Sequence, residues 1–340
     1  MTNRPARVTL DKRPLGDTGL LVSPLGLGLA AVGRPGYINL GRDADLGKER
    51  STQALEALAF ELLDEAWALG LRYVDVARSY GHAEAFLGRW LAARDHAPTA
   101  LTIGSKWGYT YTAAWRVDAQ THEVKEHSLT VLRRQWGETR EQLGAHVDLY
   151  QVHSVTPDSP ALDDPALIAE LASLKTRGVR IGLSTSGPEQ ARTIDYALRV
   201  EIDGVRLFDT VQATWNPLEP SAGAALGEAR SAGMGVIVKE ALANGRLTGH
   251  NTDHGFARQR ATLSALAEHR GVGIDAVALA AALAQPWADV VLSGAATTEQ
   301  LRANARALDL PLDVELANAL ASLAEAPDAY WRTRSDLPWS

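Results

Sequence analysis

The stretch YVDVARSY, at residues 73–80, is the most informative segment of this chain. It begins with an apolar run of strand length, and Asp75 and Tyr80 stand at the end of that run or just beyond it. A segment with helical periodicity follows. A short strand, polar residues at its end and then a helix are typical of a β/α unit that carries functional side chains at the carboxyl end of its strand.

Two further segments repeat this pattern. LTIGSKWG, residues 101–108, presents Lys106 at the end of an apolar run, and VDLYQVHS, residues 147–154, presents His153 in the same way. Because the carboxyl ends of parallel strands open on one face, we expect an acid, a phenol, an ammonium and an imidazole to meet there. Such a set can move a proton at a carbonyl oxygen, which is half of a carbonyl reduction.

The rest of the chain alternates short Val-, Ile- and Leu-rich runs with segments whose apolar residues recur at steps of three and four. The predicted strands are 25–29, 72–76, 101–105, 147–152, 180–184, 207–212, 235–239 and 289–293. The predicted helices are 52–69, 83–93, 121–142, 161–177, 188–199, 221–232, 258–271, 274–284, 298–307 and 312–324. This alternation predicts an α/β fold, a (β/α)₈ TIM barrel. The alternative, a doubly wound sheet, would need a GxGxxG turn, and the glycines of residues 26–33 have the wrong spacing.

The eight units show no break in composition, which favours a single domain over residues 1–340. Turn residues between apolar runs predict an N-terminal β-hairpin at residues 13–22, which would close the bottom of the barrel. Segments 274–284 and 312–324 would be two extra helices. Residues 326–340 form an aromatic-rich tail.

The composition excludes several classes of function. The chain has 340 residues, 46% of them hydrophobic, and a net charge of -7 without any run of like charges, which argues against nucleic acid or an anionic membrane surface as a partner. It has no cysteine, so disulfides, thiolate catalysis and Cys-ligated metals are excluded. The sequence shows no apolar signal segment, no membrane span and no metal motif. We expect a cytoplasmic protein, and the sequence does not indicate its oligomeric state.

The four strand-end residues suit the proton transfer of a carbonyl reduction. Tyr80 can donate the proton, although a phenol with its ordinary pKa of about 10 is a weak donor near neutral pH. Lys106 would lower that pKa, and Asp75 would keep the buried ammonium charged and in place. His153 would orient the carbonyl or relay the proton. Each residue alone has a structural explanation, but four together at the ends of consecutive strands favour catalysis.

These motifs resemble those of the aldo-keto reductases over nearly the whole chain. YVDVARSYG is similar to the family segment DTAxxYG, SKWG to TKxG, and DLYQVHS to DLYxxHxP. The resemblance implies that Tyr80 is the general acid, that Lys106 and Asp75 tune it and that His153 positions the substrate.

The resemblance also implies a nicotinamide-binding site. IGLSTSG is similar to iGvSNf and implies that Ser184 contacts the nicotinamide amide, with Thr185 in place of the family's Asn. VQATWNPL is similar to vQxxynpl and implies that Gln212 binds the carboxamide and that Trp215 stacks on the ring. The other implied cofactor-binding residues are Asn216, then Lys239, Gly245 and Leu247 near the pyrophosphate, and Gly294, Ala296, Gln300 and Asn304 near the adenosine.

The family habit implies NADPH as the cofactor. However, many NADPH-binding members carry Lys or Arg early in the last of these segments, where this chain has Gly294, Ala295 and Ala296. Arg302 is the only basic residue there that could meet the 2′-phosphate of NADPH. NAD therefore remains open.

We thus expect an NAD(P)-dependent oxidoreductase that reduces an aldehyde or ketone to an alcohol, or catalyses the reverse, by direct hydride transfer. The loop at 31–50 and the C-terminal tail would shape the substrate pocket, with Tyr37, Trp107 and Trp331 as candidate lining residues. Two alternatives remain on the same fold. One is a nucleotide-binding sensor or regulatory subunit, and the other is a cofactor-assisted epimerase or dehydratase.

Overall fold

Eight parallel strands close on themselves to form a barrel. The computed structural model describes residues 10–340. The first nine residues, where the sequence showed no apolar signal segment, lie outside the described residues. The barrel strands are Leu25–Gly28, Tyr73–Asp75, Thr102–Trp107, Leu149–Val155, Arg180–Thr185, Thr210–Thr214, Gly235–Lys239 and Val290–Ser293. They neighbour one another in chain order, and Val291 of the last strand pairs with Leu25 of the first. The predicted (β/α)₈ barrel is confirmed, and the doubly wound sheet is excluded.

Helices follow the barrel strands and pack around them. The helices are Arg42–Leu46, Thr52–Ala68, Ala83–Arg94, Leu129–Leu143, Pro165–Thr176, Gln190–Ala197, Gly223–Ser231, Ala257–His269, Ile274–Leu283, Thr298–Ala305, Val314–Ala321 and Pro327–Ser335. Capping residues fix several starts: Ser51 accepts a hydrogen bond from the Ala54 amide, and Asp164 accepts from the first turn of its helix. In the part of the chain that the structure describes, no helix is both long and apolar enough to cross a membrane.

The prediction of a helix over 121–142 is wrong in its first part. Glu123–Lys125 is a strand that pairs antiparallel with Tyr109–Tyr111, and the helix begins only at Leu129. The physical reason is the cap at Ser128, whose side chain accepts a hydrogen bond from the amide of Val131. The small hairpin formed by these two strands rises from the carboxyl end of the barrel.

The C-terminal tail is more regular than the sequence indicated. Pro327–Ser335 forms a helix, and Pro327 stands in its first turn, where a missing amide hydrogen costs nothing. Tyr330 in this helix is fully buried, and its hydroxyl lies 3.0 Å from the amide nitrogen of Asn216. The tail is therefore fixed against the mouth of the barrel.

The predicted N-terminal hairpin is present and closes the other end of the barrel. Arg13–Pro14 pairs antiparallel with Leu21–Val22, and the loop between them inserts the fully buried Leu15 into the barrel interior. Gly16 has a φ of 53°, and a Cβ there would lie 2.3 Å from the amide nitrogen of Gly235. Only glycine allows the turn to approach the strand so closely.

We predict that Leu15→Ala lowers the free energy of unfolding by about 2–5 kcal/mol, because it leaves a cavity in the barrel interior. Leu21→Ala, in the same hairpin but 52% exposed, is the matched control and should change stability by less than about 1 kcal/mol. Urea denaturation followed by circular dichroism measures both. Equal losses in the two variants would contradict the role of the hairpin as a plug.

Candidate active site

Four side chains from successive β/α units meet at the carboxyl end of the barrel. Asp75 is the last residue of the second barrel strand, Lys106 lies in the third and His153 in the fourth, while Tyr80 follows the second strand. Asp75 and Lys106 are buried, and Tyr80 and His153 stand above them at the surface of a cavity. The structure therefore brings together all four residues that we expected to meet at the carboxyl ends of the strands.

Lys106 is the centre of this cluster. Its ammonium forms an ion pair with Asp75, donates to the carbonyl oxygen of Val76 at 3.2 Å and lies 3.3 Å from the hydroxyl oxygen of Tyr80. The second carboxylate oxygen of Asp75 accepts a hydrogen bond of 2.8 Å from the amide of Gln212. A buried ammonium needs such partners to remain charged, and here it has both a counterion and hydrogen bonds.

The pKa of Tyr80 differs from the sequence expectation. Burial raises it well above its ordinary value, the charge of Asp75 raises it further, and Arg34 opposes the shift. We expected Lys106 to lower this pKa, but Asp75 is buried beside the ammonium and cancels much of its field. Tyr80 thus keeps its proton in the free protein, which is the state that a proton donor requires.

His153 is held as a neutral imidazole. Its pKa is lowered well below the ordinary value by burial first, and then by the charges of Lys106 and Lys239. The ring meets the ring of Tyr80 edge-on, with centroids 5.7 Å apart, and that of Tyr109 at 5.0 Å. A neutral histidine beside a protonated phenol can hydrogen-bond a carbonyl oxygen without carrying charge.

A cavity of about 490 Å³ opens above these residues, a size that suits small-molecule ligands. It extends from the cluster of Asp75, Tyr80, Lys106 and His153 to the N-terminal end of helix Thr298–Ala305. The candidates for catalysis and cofactor binding that line it are Asp75, Tyr80, His153, Gln212, Lys239, Gly245, Gly294, Gln300 and Asn304. Nine candidates from distant parts of the sequence thus share one cavity.

The structure does not bring Ser184 and Thr185 to the cavity wall. Both are fully buried: the Ser184 hydroxyl accepts a hydrogen bond of 2.8 Å from the backbone amide of Ser154, and the Thr185 hydroxyl lies 3.3 Å from Gln190. Ser186, which we did not single out, lines the cavity instead. The hydroxyl that faces the cavity therefore belongs to Ser186, two residues after Ser184, which was expected to contact the nicotinamide amide.

Four other candidates for cofactor binding also lie away from the cavity. Trp215 packs edge-on against Trp287, with ring centroids 5.7 Å apart. Asn216 is fully buried and bonds the carbonyl oxygen of Glu240 with its amide, so it braces the loop rather than facing a ligand. The remaining two, Leu247 and Ala296, are buried in the core.

Of the three candidates for the substrate pocket, Tyr37 lines the cavity. Trp107 is fully buried, with its ring 5.7 Å from that of His127, and Trp331 packs against Tyr330 in the core. The sequence placed all three at loops or strand ends, which does not determine the direction in which a side chain points.

Comparison with known proteins places this fold and site in a family. The model of the Aldo/keto reductase family matches residues 25–325. The chain belongs to the Aldo/keto reductase family.

Several relatives of this aldo-keto reductase are distant in sequence but match over almost their full length. The uncharacterized oxidoreductase YrpG of Bacillus subtilis is 26% identical over 93% of this chain and 98% of that protein. The NADH-specific methylglyoxal reductase of Escherichia coli is 26% identical over 93% of this chain and 99% of that protein. The structure of an aldo-keto reductase from Bacillus halodurans in its holo form superposes with a TM-score of 0.70, at 21% identity, covering 93% of this chain and 97% of that one.

This aldo-keto reductase has charged cavity residues that the sequence did not single out. They are Arg34, Asp45, Glu123, Glu240, Asp275 and Arg334. Arg34 is buried, bonds the carbonyl oxygen of Ser79 at 2.9 Å and lies over the ring of Tyr80 at 5.5 Å. Arg34 lies in the loop at 31–50, which we expected to shape the substrate pocket. Its ion-pair partner, Glu123, lies on a strand that we predicted as part of a helix, so nothing in the sequence indicated this ion pair.

We predict that Lys106→Met lowers the free energy of unfolding by about 3–5 kcal/mol at pH 7, since it leaves the Asp75 carboxylate buried without a cation. Such a carboxyl has a folded-state pKa above its unfolded value of about 3.9, so the destabilisation should shrink as the pH falls through the raised folded-state pKa. Urea denaturation at pH 7 and pH 5 measures this.

The control is the double variant Asp75→Asn/Lys106→Met, which removes the orphaned charge. It should be more stable at pH 7 than Lys106→Met alone. If the single variant is as stable as wild type at pH 7, the buried ion pair does not have the energetic role described here.

Proposed function

We propose that the protein reduces an aldehyde or ketone to an alcohol, or catalyses the reverse oxidation, by direct hydride transfer with Tyr80 as the general acid. The observation that carries the proposal is the contact of 3.3 Å between the Lys106 ammonium and the Tyr80 hydroxyl, above the Lys106–Asp75 ion pair and at the wall of the cavity. A nicotinamide cofactor is expected from family membership, and it would supply the hydride when bound.

The lining of the cavity fits such a cofactor. The amide of Gln212 and the hydroxyl of Ser186 offer hydrogen-bonding groups near the catalytic cluster, as a carboxamide requires. At the far end, Gly294 leaves open space, and Gln300 and Asn304 present amide side chains. These residues would hold the two ends of a dinucleotide.

The side chains of the cluster then divide the proton chemistry. A carbonyl oxygen placed between Tyr80 and the neutral His153 would accept hydrogen bonds from both. As negative charge grows on that oxygen, Tyr80 donates its proton, and the phenolate that forms is stabilised by the adjacent Lys106 ammonium. Asp75 and Gln212 hold the ammonium in position, so little reorganisation is needed.

We predict that Tyr80→Phe lowers turnover by about 10²–10⁴-fold, the usual contribution of general acid catalysis, while cofactor affinity stays near that of wild type. Tyr109→Phe is the control. The phenol hydroxyl of Tyr109 also lies at the cavity wall but, unlike the hydroxyl of Tyr80, it makes no hydrogen bond to Lys106. Steady-state rates with aldehydes and a fluorescence titration of the cofactor provide the data. A Tyr80→Phe enzyme that keeps more than about a tenth of its turnover would refute the assignment.

The cofactor preference rests on the far end of the cavity. The expectation of NADPH came from the family habit, with Arg302 as the basic residue that could meet the 2′-phosphate. In the structure this side chain makes two hydrogen bonds to Glu65, at 2.8 and 2.7 Å. Among the described residues that line the cavity, the Lys and Arg side chains are Arg34, Lys239 and Arg334. None of these belongs to the adenosine-end segment, which supplies Gly294, Ala295, Gln300 and Asn304.

Asp275 strengthens this argument. It lines the cavity from the first turn of helix Ile274–Leu283, which packs against helix Thr298–Ala305. A carboxylate there would repel a 2′-phosphate but can accept hydrogen bonds from a ribose diol. We infer that NADH binds more tightly than NADPH, as the name of a relative in Escherichia coli, the NADH-specific methylglyoxal reductase, also suggests.

We predict that Asp275→Asn narrows the preference for NADH over NADPH by roughly tenfold, equivalent to about 1.4 kcal/mol. Raising the salt concentration should also reduce the preference for NADH over NADPH, because salt screens the repulsion between the Asp275 carboxylate and the 2′-phosphate. Asp11→Asn, an exposed carboxylate beside the N-terminal hairpin, is the control. Calorimetric titration of both reduced cofactors into each variant gives the ratios. Tighter binding of NADPH by wild type would contradict the inference.

A further inference from the structure

Charged side chains surround the catalytic end of the cavity in unequal numbers. The cations are Arg34, Lys106, Lys239 and Arg334, and the carboxylates are Asp75, Glu123 and Glu240. Because His153 is held neutral, these seven side chains together carry one positive charge more than they carry negative charges. Asp45 and Asp275 also line the cavity, but neither forms an ion pair with any of the seven. A surplus charge in a partly desolvated cavity has a large effect on the ligands that bind there.

Two of the cations are fully matched by a carboxylate. Lys106 pairs with Asp75 beneath the cavity. Arg34 pairs with Glu123 at 2.7 Å, and its planar guanidinium also lies over aromatic rings, which restricts its direction. Neither pair leaves a charge for the ligand.

The surplus belongs to the group around Glu240. Both oxygens of this carboxylate are committed: Oε1 accepts hydrogen bonds of 2.6 and 3.1 Å from Arg334, and Oε2 accepts one of 2.9 Å from the hydroxyl of Thr214. Lys239 therefore lies next to a carboxylate that a second cation already neutralises. Its ammonium is 3.9 Å from the nearest oxygen of Glu240.

The ammonium of Lys239 retains donors for a ligand. It makes one hydrogen bond of 2.7 Å, to the hydroxyl of Thr214, and it carries three N–H donors. Its charge lowers the pKa of His153, so it lies close to the imidazole that faces a carbonyl substrate. The side chain is 16% exposed and lines the cavity.

We propose that Lys239 binds a carboxylate of the substrate, so that the enzyme prefers carbonyl compounds that carry a carboxylate, the oxo acids, to uncharged carbonyl compounds of the same shape. This inference rests on the proposed carbonyl reduction. A single surplus charge matches the single charge of a carboxylate, and a cation that is already desolvated gains more from such a partner than one in water. In this proposal Lys239, whose charge acts on His153, determines substrate specificity and is not the pyrophosphate-binding residue that the family resemblance implied.

The test compares 4-carboxybenzaldehyde with its methyl ester, which keeps the aldehyde and the ring but not the charge. In wild type, the kcat/KM for the acid should exceed that for the ester by about tenfold to a hundredfold, the contribution of a charge-assisted hydrogen bond. Lys239→Met should remove most of this ratio. Lys12→Met, which changes an exposed lysine next to the N-terminal hairpin, should leave the ratio at its wild-type value.

A binding measurement separates this inference from the proposed function. Calorimetry of 4-(hydroxymethyl)benzoate and its methyl ester, added to the enzyme–cofactor complex, should show the same preference and the same loss in Lys239→Met. If neither aldehyde is reduced but the acid still binds selectively through Lys239, carbonyl reduction is wrong and the carboxylate site stands. If both aldehydes are reduced with equal kcat/KM, or the ratio survives in Lys239→Met, the carboxylate site is wrong.

The same ratio should depend on pH. Burial lowers the pKa of Lys239 to about 8, with Glu240 opposing the shift and Arg334 and Lys106 adding to it, while Asp75 opposes it weakly. The ammonium is charged below this pKa, so the preference for the acid should be full at pH 6.5 and should fall as the pH rises through about 8. Other groups that titrate, such as those of the catalytic cluster, change kcat/KM for the acid and the ester alike, so the ratio of the two isolates the charge of Lys239. A ratio that stays constant from pH 6.5 to pH 9.5 would count against Lys239 as the carboxylate ligand.

Discussion

The buried ion pair between Lys106 and Asp75 is the interaction on which the rest of the site depends. Burial in the barrel removes most of the hydration of a charged group, so each of these two charges is stable there only because the other compensates it. Together they form a nearly neutral ion pair beneath Tyr80. In the mechanism that we propose, the phenol of Tyr80 therefore stays protonated until negative charge appears on the substrate, and the ammonium of Lys106 then stabilises the phenolate that forms.

Closure of the barrel is what makes this pair possible. The two residues come from neighbouring strands in parallel register, and Gln212 reaches Asp75 from across the barrel. Segments outside the barrel add further charges to the cavity: the loop after the first strand carries Arg34, and the C-terminal helix carries Arg334. In the function that we propose, residues at the strand ends carry out the proton chemistry, and Arg334 at the mouth neutralises Glu240, so that the charge of Lys239 at the end of its barrel strand remains for a substrate.

Periodicity and strand ends were sufficient to predict the barrel and the meeting of the four candidates, and turn residues were sufficient to predict the hairpin. Periodicity did not predict where the helix after Ser128 begins, because the cap at that residue decides it. The sequence could not predict the direction of side chains, so Trp215 was expected to face a ligand and instead packs on Trp287. It also could not show that Arg302 is paired with Glu65, because the two residues are 237 positions apart. Pairings of this kind arise from tertiary packing and leave no local signal.

Isotope transfer tests the central claim, direct reduction of a carbonyl carbon, most directly. The enzyme would be given an aldehyde in ordinary water with reduced cofactor carrying deuterium at the transferred position of C4, and the alcohol would be analysed by mass spectrometry. Our account requires one deuterium on the former carbonyl carbon of each product molecule, and none from solvent when unlabelled cofactor is used in heavy water. Product without deuterium from the cofactor, or with carbon-bound deuterium from the solvent, would contradict it.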